Sequence, residues 1–351
     1  MDLSTTYLGL KLKHPLMPGA SPMVDDLDTV RRLEDAGAAA IVMHSLFEEQ
    51  VVGEQLASIY AMEMFADSYA EALSYFPKHD EFALSPDEYL LQIGRIKRAV
   101  SVPVIASLNG TTAGGWLRYA ELIEEAGADA LELNIYHVPT DTTETGRAVE
   151  SRVTEVVGQV KKSVDIPIAV KLSPYYSSLP NLATELDFAG ADGLVLFNRF
   201  FQPDIDPIDL ECRPSLTLSD SSELPLRVRW LAILSPKFRG SLACSGGVHD
   251  AVDAVKAVMA GANAVQIVSA LLRHGPAYLS ILRDDLERWM EQNECPSIRR
   301  MTGCMSHRRS PDPAAFERAN YMRTLQSYRA NGGTFGPTSI DKRWGYNGHD
   351  S

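Results

Sequence analysis

The sequence predicts a (β/α)8 barrel, or TIM barrel, from a repeated phrase and from a count of eight apolar segments. The phrase is a Gly-Ala pair that ends a helical stretch and leads directly into a buried-strand stretch. Its copies lie at 36–40, 126–130, 189–193 and 261–264. A glycine there fits the left-handed residue that closes a helix, and the repeated helix-to-strand unit is typical of a parallel α/β protein.

Eight apolar segments supply the predicted strands. They lie at 15–20, 39–45, 102–108, 130–136, 166–172, 193–198, 241–245 and 264–269. Helical stretches between them lie at 26–35, 86–99, 116–125, 142–164, 179–189 and 250–260. Eight strands, each followed by a helix, match a (β/α)8 barrel. The alternative is an open doubly wound sheet, but no G-x-G-x-x-G motif follows the first predicted strand.

Further segments extend this barrel at both ends. Leu8, Leu10 and Leu12 alternate with other residues, which predicts a short exposed hairpin that plugs the barrel floor. A stretch with helical character follows the barrel, and the last residues are Gly-rich and polar. We therefore expect a barrel domain at 1–290, a helical extension at 291–330 and a flexible tail at 331–351.

Two connections are too long for simple turns. They follow the second and sixth predicted strands, at 47–85 and 200–224. Both leave the carboxyl ends of strands, where barrel enzymes build their sites, so we expect lids or substrate walls. The first connection is rich in aromatic residues and Met, and it fits a dimer contact or a packed helix pair equally well.

The composition excludes several classes of partner. The chain has 351 residues, is 45% hydrophobic and carries a net charge of −13, which disfavours nucleic acids and anionic membranes as partners. Its four cysteines show no C-x-x-C spacing, so we expect reduced thiols and no metal centre. Neither a signal peptide nor an apolar run of about 18 residues is visible. A cytoplasmic protein is the expectation.

Polar or small residues lie at or near the carboxyl ends of all eight predicted strands. The carboxyl ends of barrel strands meet at one rim, so we expect these side chains to surround one site. In strand order they are Gly19, Ala20, Ser21, His44, Ser45, Asn109, Asn134, Lys171, Asn198, Ser245, Gly246, Gly247, Ser269 and Ala270.

The glycines after the seventh strand suggest a phosphate site. Gly246 and Gly247 precede a predicted helix, so backbone amides there can approach a phosphate closely. Ser269 after the eighth strand would complete the cradle, and barrels commonly bind phosphate at this place. A plain turn is the alternative interpretation of the two glycines.

Lys171 interrupts an otherwise apolar strand. Its ammonium is costly to desolvate without an anionic partner. It therefore suggests a cation that faces an electron-rich cofactor or a substrate. The alternative is an ion pair with Glu132 or another inward acid.

Two asparagines and two histidines offer further chemistry. The amides of Asn134 and Asn198 both donate and accept, which suits the edge of a heterocycle, although each also fits a structural turn. His137 lies just past the fourth strand and is a candidate general acid or base; an exposed loop histidine is the alternative. His44 at the end of the second strand allows the same two interpretations.

The chain resembles the dihydroorotate dehydrogenase family of FMN-dependent barrels from about residue 4 to about residue 290. The matching motifs are Ala-Val-Lys-Leu-Ser-Pro around Lys171, Glu-Leu-Asn around Asn134, Asn198, and the segments at 245–248 and 267–271. The resemblance implies that Lys171 contacts the flavin ring and that Asn134 and Asn198 bind flavin or substrate. By the same resemblance, the FMN phosphate is held by Gly246, Gly247, Ser269 and Ala270, and Gly19, Ala20 and Ser21 lie against the ring.

The departures from the family pattern concern the substrate half of the site. The catalytic Cys or Ser of the family falls at His137, and the loop Asn that helps to bind orotate is absent. His44 stands where the family has a Lys or a similar flavin contact. The resemblance therefore implies a relative with an altered substrate.

The leading hypothesis is an FMN-dependent oxidoreductase that acts on a CH–CH bond next to a carbonyl, as in pyrimidine metabolism. His137 would move the proton and Lys171 would polarise the flavin edge. One alternative is an aldolase-type lyase with a Schiff base on Lys171. Another is a non-catalytic FMN- or phosphate-binding barrel that acts on a protein partner through 47–85. The electron acceptor stays open, and the resemblance implies a homodimer.

Overall fold

The computed structural model describes residues 1–47, 85–110, 113–199, 202–213, 217–317, 321, 328–331 and 334–337. Within these residues, eight parallel strands form one sheet, in the order β1-β8-β7-β6-β5-β4-β3-β2. The strands are β1 Leu16–Pro18, β2 Ile41–Phe47, β3 Val104–Asn109, β4 Ala130–Asn134, β5 Ile168–Leu172, β6 Gly193–Leu196, β7 Ser241–Ser245 and β8 Ala264–Ile267. The Ala39 amide donates to the Leu16 carbonyl at 3.2 Å, which brings the two edges of the sheet together. The predicted (β/α)8 barrel is confirmed.

Helices alternate with these strands along the chain. They are α1 Leu27–Asp35, α2 Pro86–Ala99, α3 Ala113–Glu125, α4 Gly146–Ser163, α5 Leu179–Ala189, α6 Leu224–Leu234, α7 Ala251–Ala260, α8 Ser269–His274, α9 Tyr278–Gln292 and α10 Ile298–Met301. The predicted helix at 142–164 begins later, because the Thr145 hydroxyl accepts from the Ala148 amide and caps the helix there. The repeated phrase behaves as expected: Gly37, Gly127 and Gly190 close α1, α3 and α5 with φ of 96°, 96° and 98°.

The N-terminal hairpin pairs Thr5–Tyr7 with Leu10–Leu12 and closes the barrel floor. Tyr7, Leu8 and Leu12 are almost fully buried, contrary to the expected exposure of this hairpin. They pack against small and β-branched side chains of the strand interior, among them Val42 and Val195. The predicted plug is confirmed. The predicted exposure of the hairpin is wrong, because its alternating leucine side chains point into the barrel.

The regions beyond the barrel are only partly described. Of the connection at 47–85, the structure describes its two end residues alone, so the predicted lid or helix pair lies outside the described residues. The connection at 200–224 contains a hairpin of Asp204–Asp206 and Glu211–Arg213. Between 291 and 317 the structure has the end of α9, then α10 and a 3-10 turn at Pro313–Phe316. Tyr328–Asn331 pairs with Thr334–Pro337, and the domain limits stay predictions. Among the described helices, none has the length and apolarity that crossing a bilayer requires.

His14, just before β1, makes folding stability depend on pH. The Leu16 amide donates to Nδ1 at 3.2 Å, and Nε2 lies 2.6 Å from the Gly37 carbonyl, a pattern that requires the neutral ring. Burial lowers the pKa of His14 from 6.5 to about 4. Stability from this group is therefore complete above the unfolded pKa and is lost as pH falls through this window.

We expect the free energy of unfolding to fall by about 2 kcal/mol between pH 7 and pH 5 through His14 alone. Urea unfolding at both pH values measures this change. His14→Gln removes the titrating group and should remove this component, whereas His274→Gln, at an exposed position, should keep it. Equal pH dependence in wild type and His14→Gln would contradict the assignment.

Candidate active site

A buried ion pair lies among the strands of the barrel. The Lys171 Nζ of β5 is 3.0 Å from Glu132 Oε1 of β4 and 3.5 Å from Gln266 Oε1 of β8. Gln266 Nε2 also donates to Glu132 Oε2 at 2.5 Å. The side chain of Glu132 is fully buried and that of Lys171 is 8% exposed. The ion pair with Glu132 is thus present, and together with the contact to Gln266 it occupies two of the three ammonium N–H donors among the described residues.

A chain of side-chain hydrogen bonds crosses the carboxyl ends of four strands. Asn198 Nδ2 donates to Asn134 Oδ1 at 2.5 Å, and Asn134 Nδ2 donates to Ser45 Oγ at 3.0 Å. The Ser45 and Ser107 hydroxyls lie 2.8 Å apart. The structure therefore brings together three predicted site residues, Ser45, Asn134 and Asn198. These asparagines contact one another across the rim and do not close isolated turns.

Asn109 at the end of β3 carries an unsatisfied donor. The residue is 3% exposed, and its Nδ2 atom is buried with no hydrogen-bond partner among the described residues. Leaving a buried donor unpaired costs about 1–3 kcal/mol. An acceptor on a bound ligand would offset this cost.

The predicted phosphate cradle gathers hydroxyls and one backbone amide. The Gly247 amide lies 3.5 Å from Ser219 Oγ, and the amide and hydroxyl of Ser219 lie 3.1 and 2.8 Å from Ser269 Oγ. Gly246 and Gly247 have φ of 87° and 79°. These groups suit a phosphate because hydroxyls and amides both donate to anionic oxygens.

Gly247→Ala is expected to destabilise the fold by at least about 3 kcal/mol. A Cβ there would lie 2.6 Å from the Leu224 backbone nitrogen, in addition to the strain of positive φ. Gly9→Ala is the matched control, because Gly9 has φ of 76° but open space around its Cβ. Thermal or urea unfolding of both variants separates the clash from the strain. A cost at Gly247 no larger than at Gly9 would contradict the packing.

The other predicted rim residues take different places. The Gly19 amide donates to the Ile267 carbonyl at 3.1 Å, which holds 19–21 beside the end of β8. His44 does not join the polar chain: its Nδ1 is 2.6 Å from Asp25 Oδ1, and its ring meets Tyr89 edge-on. Ser245 offers its carbonyl to Arg227 at 3.1 Å, and Ala270 is fully buried. A cofactor contact at His44 has no support from these neighbours and stays a prediction.

His137 lies in the loop after β4, with a side chain that is 46% exposed. Its Nε2 is 3.6 Å from Glu144 Oε2 and 3.4 Å from an Arg152 guanidinium nitrogen. Arg152 is itself paired with Glu144. His137 lines a cavity of about 1220 Å³ that begins where β3, β4 and β5 end, at Gly110, Ile135 and Ser173. It therefore faces a space beside the rim, apart from the Lys171–Glu132 pair.

Comparison with known proteins decides the family. The dihydroorotate dehydrogenase family model matches residues 85–290. The catalytic subunit of dihydroorotate dehydrogenase B (NAD(+)) from Thermoplasma acidophilum is 30% identical over 311 residues, which cover 86% of this chain and 98% of the relative. The chain belongs to the dihydroorotate dehydrogenase family. Its predicted membership is confirmed, and the protein is an oxidoreductase acting on a CH–CH bond.

The names of further relatives include more than one substrate. The corresponding catalytic subunit from Methanothermobacter thermautotrophicus is 27% identical, with 86% of this chain and 97% of the relative covered. The NAD-dependent dihydropyrimidine dehydrogenase subunit PreA of Escherichia coli is 23% identical, with 86% of this chain and 76% of the relative covered. Similarity to this dehydrogenase family therefore leaves the substrate open.

Three polar residues of the site were not predicted from sequence as site residues. Gln266 and Ser107 each lie within a buried strand, and a polar residue inside an apolar strand is the signal that singled out Lys171. Ser219 lies in the connection before α6, where no periodic pattern marks it. Its pairing with Ser269 depends on a tertiary contact between residues 50 positions apart.

Proposed function

We propose that the protein is an FMN-dependent dehydrogenase that acts on a C–C bond next to the carbonyl of a small-molecule substrate. The observation that carries this proposal is the buried Asn109 Nδ2 at the rim, for which the described residues supply no acceptor. It lies at the carboxyl end of β3, the neighbour of β4, in a chain of the dihydroorotate dehydrogenase family. A heterocycle with acceptor atoms at its edge would satisfy it.

The rim residues fit FMN. Donors for the phosphate would be the Gly247 amide and the hydroxyls of Ser219 and Ser269, since Ser219 Oγ lies 3.5 Å from the amide and 2.8 Å from Ser269 Oγ. Lys171 would present its remaining N–H to the ring edge, together with the amides of Asn109 and Asn134. When bound, FMN would supply two-electron redox chemistry at this rim.

Two side chains would support the reaction in different ways. Lys171 provides positive charge where negative charge develops, and Glu132 and Gln266 hold its ammonium in one position. His137 Nδ1, the ring nitrogen opposite the one that faces Glu144, would accept the proton that leaves the substrate carbon next to the carbonyl. Glu144 at 3.6 Å stabilises the imidazolium that results. This takes the place of the Cys or Ser base of the family.

The electron acceptor belongs to the same proposal. The relative from Thermoplasma acidophilum is named the catalytic subunit of an NAD(+) enzyme, which supports a second, separate subunit on the path to the electron acceptor. The homodimer and the cytoplasmic location implied by the resemblance complete the proposal. Co-purification with a redox-active partner tests the acceptor, and sedimentation analysis tests the dimer.

The lyase alternative meets an obstacle in the structure. A Schiff base on Lys171 requires a free amine that a carbonyl can reach, whereas Nζ lies 3.0 Å from the buried Glu132 carboxylate. Borohydride trapping of a substrate adduct at Lys171 would support the lyase. The surface at 47–85 that the non-catalytic alternative uses lies outside the described residues.

Anaerobic reduction of the protein by added donors tests the proposed function. Dihydroorotate and dihydrouracil are added separately to the FMN-loaded protein, and flavin absorbance is followed. Bleaching by either donor, followed by recovery with an electron acceptor, is the expected result. A protein that holds flavin but is bleached by no CH–CH donor, and that releases no product, would contradict it.

A further inference from the structure

The cavity beside the rim is larger than a dihydropyrimidine requires. It measures about 1220 Å³, whereas pockets for drug-sized ligands measure roughly 300–1,000 Å³. The cavity is bordered by Gly110, Ile135 and Ser173, which directly follow β3, β4 and β5. These three strands carry the rim residues Asn109, Asn134 and Lys171, respectively. The cavity therefore adjoins the proposed FMN site.

The walls of this cavity are mainly aromatic and aliphatic. Helix α4 contributes valines to one wall, and the loops after β4 and β5 contribute tyrosines. The lining includes Trp116, Tyr136, Tyr175, Tyr176, Val149 and Val156. Burial raises the pKa of Tyr176 to about 12, so its hydroxyl stays neutral across the physiological range. Such walls favour apolar groups of a ligand.

The charges on the described walls oppose an anion. Arg152 supplies a guanidinium, but Glu144 already pairs with it. Two carboxylates, of Glu150 and Glu155, also line the cavity. A substrate carboxylate like that of dihydroorotate would meet like charges and no unpaired guanidinium or ammonium among the lining residues that the structure describes.

We propose that this cavity binds the apolar or aromatic part of a neutral substrate, whose reacting CH–CH bond lies at the rim. The proposal rests on the proposed function, because the rim supplies the redox chemistry. It assigns the substrate class: an uncharged carbonyl compound with a bulky apolar group. His137, on the wall of the same cavity, lies on the side from which such a substrate would approach.

A neutral fluorescent probe, N-phenyl-1-naphthylamine, measures binding to the full-length protein with and without FMN. We expect saturable binding that Val149→Trp and Val156→Trp each weaken at least about tenfold by filling the cavity. Ala148→Trp is the matched control, since Ala148 is an exposed neighbour on α4 that does not line the cavity. Thermal unfolding verifies that each variant is folded.

Competition tests the charge. 3-Phenylpropanamide and 3-phenylpropanoate have the same shape and differ in charge, and both carry a CH–CH bond next to a carbonyl. We expect the neutral amide to displace the probe at about tenfold lower concentration than the anion. Equal displacement, or stronger displacement by the anion, would overturn the assignment of a neutral substrate.

The same measurements separate this inference from the proposed function. Probe binding that is indifferent to both Val→Trp variants overturns the cavity site, even where FMN is bound and reduced. If the protein never takes up FMN but binds the probe and the amide in the cavity, the apolar binding site is supported. Its role as a substrate site is then ruled out. Bleaching of bound FMN by 3-phenylpropanamide, with none by dihydroorotate, supports both the cavity site and the proposed function.

Discussion

Lys171→Met is expected to lower the free energy of unfolding by about 3–5 kcal/mol, because it leaves the buried Glu132 carboxylate without its cation. In the FMN-loaded protein, substrate-driven flavin reduction should also slow by about 10²–10³-fold, since positive charge at the ring edge is lost. Urea unfolding measures the first effect, and anaerobic stopped-flow absorbance measures the second.

Lys161→Met is the matched control for this variant. Lys161 also pairs with an aspartate, Asp192, at 2.7 Å, but both side chains are about one-third exposed. Such pairs contribute about 0.2–1 kcal/mol, so the control should cost little and leave flavin reduction unchanged. The double variant Lys171→Met with Glu132→Leu should recover much of the stability without the activity. If Lys171→Met lowers the free energy of unfolding no more than Lys161→Met does, the claim that the buried Lys171–Glu132 pair stabilises the fold would be refuted.

His137→Ala is expected to slow substrate-driven flavin reduction by about 10²–10⁴-fold, the range for loss of a general base. Bound flavin and folding stability should stay unchanged, because the His137 side chain is nearly half exposed and lies outside the Lys171–Glu132 pair. Rapid mixing of the loaded protein with a reducing substrate under anaerobic conditions measures the rate, and absorbance measures flavin content.

His274→Ala serves as the control for His137, since His274 is an exposed histidine that the site does not use. A rate for His137→Ala equal to that of the control would remove His137 from proton transfer. A slow rate accompanied by lost flavin would assign it to binding. A base at this position predicts that the variant retains its flavin and that the pH dependence of its flavin-reduction rate differs from that of wild type.

The barrel was predictable because its signals are local. The glycines of the repeated phrase adopt the positive φ that closes a helix, and each lies next to the strand it was expected to introduce. Lys171 was recognisable for a similar reason, since a charge inside an apolar strand needs a partner nearby. Glu132, one strand away, is that partner.

The missed features depend on contacts that no local pattern encodes. Ser219 joins the phosphate cradle through a loop whose path the packing of α6 determines. The contact of His44 with Asp25, at 2.6 Å, is likewise tertiary and has no local signal, and the cofactor contact at His44 stays a prediction. The strand also shifts register between Val42 and Ser45, so alternation alone does not say which way its side chains point.

The visible absorption spectrum of the purified protein, with identification of any released chromophore, tests the central claim most directly. The predicted result is the spectrum of oxidised flavin and about one FMN released per chain, with uptake of added FMN by any empty fraction. Loss of that FMN in Gly247→Ala protein that is still folded by thermal unfolding would connect it to the rim. A colourless protein that takes up no FMN under any condition would contradict the account.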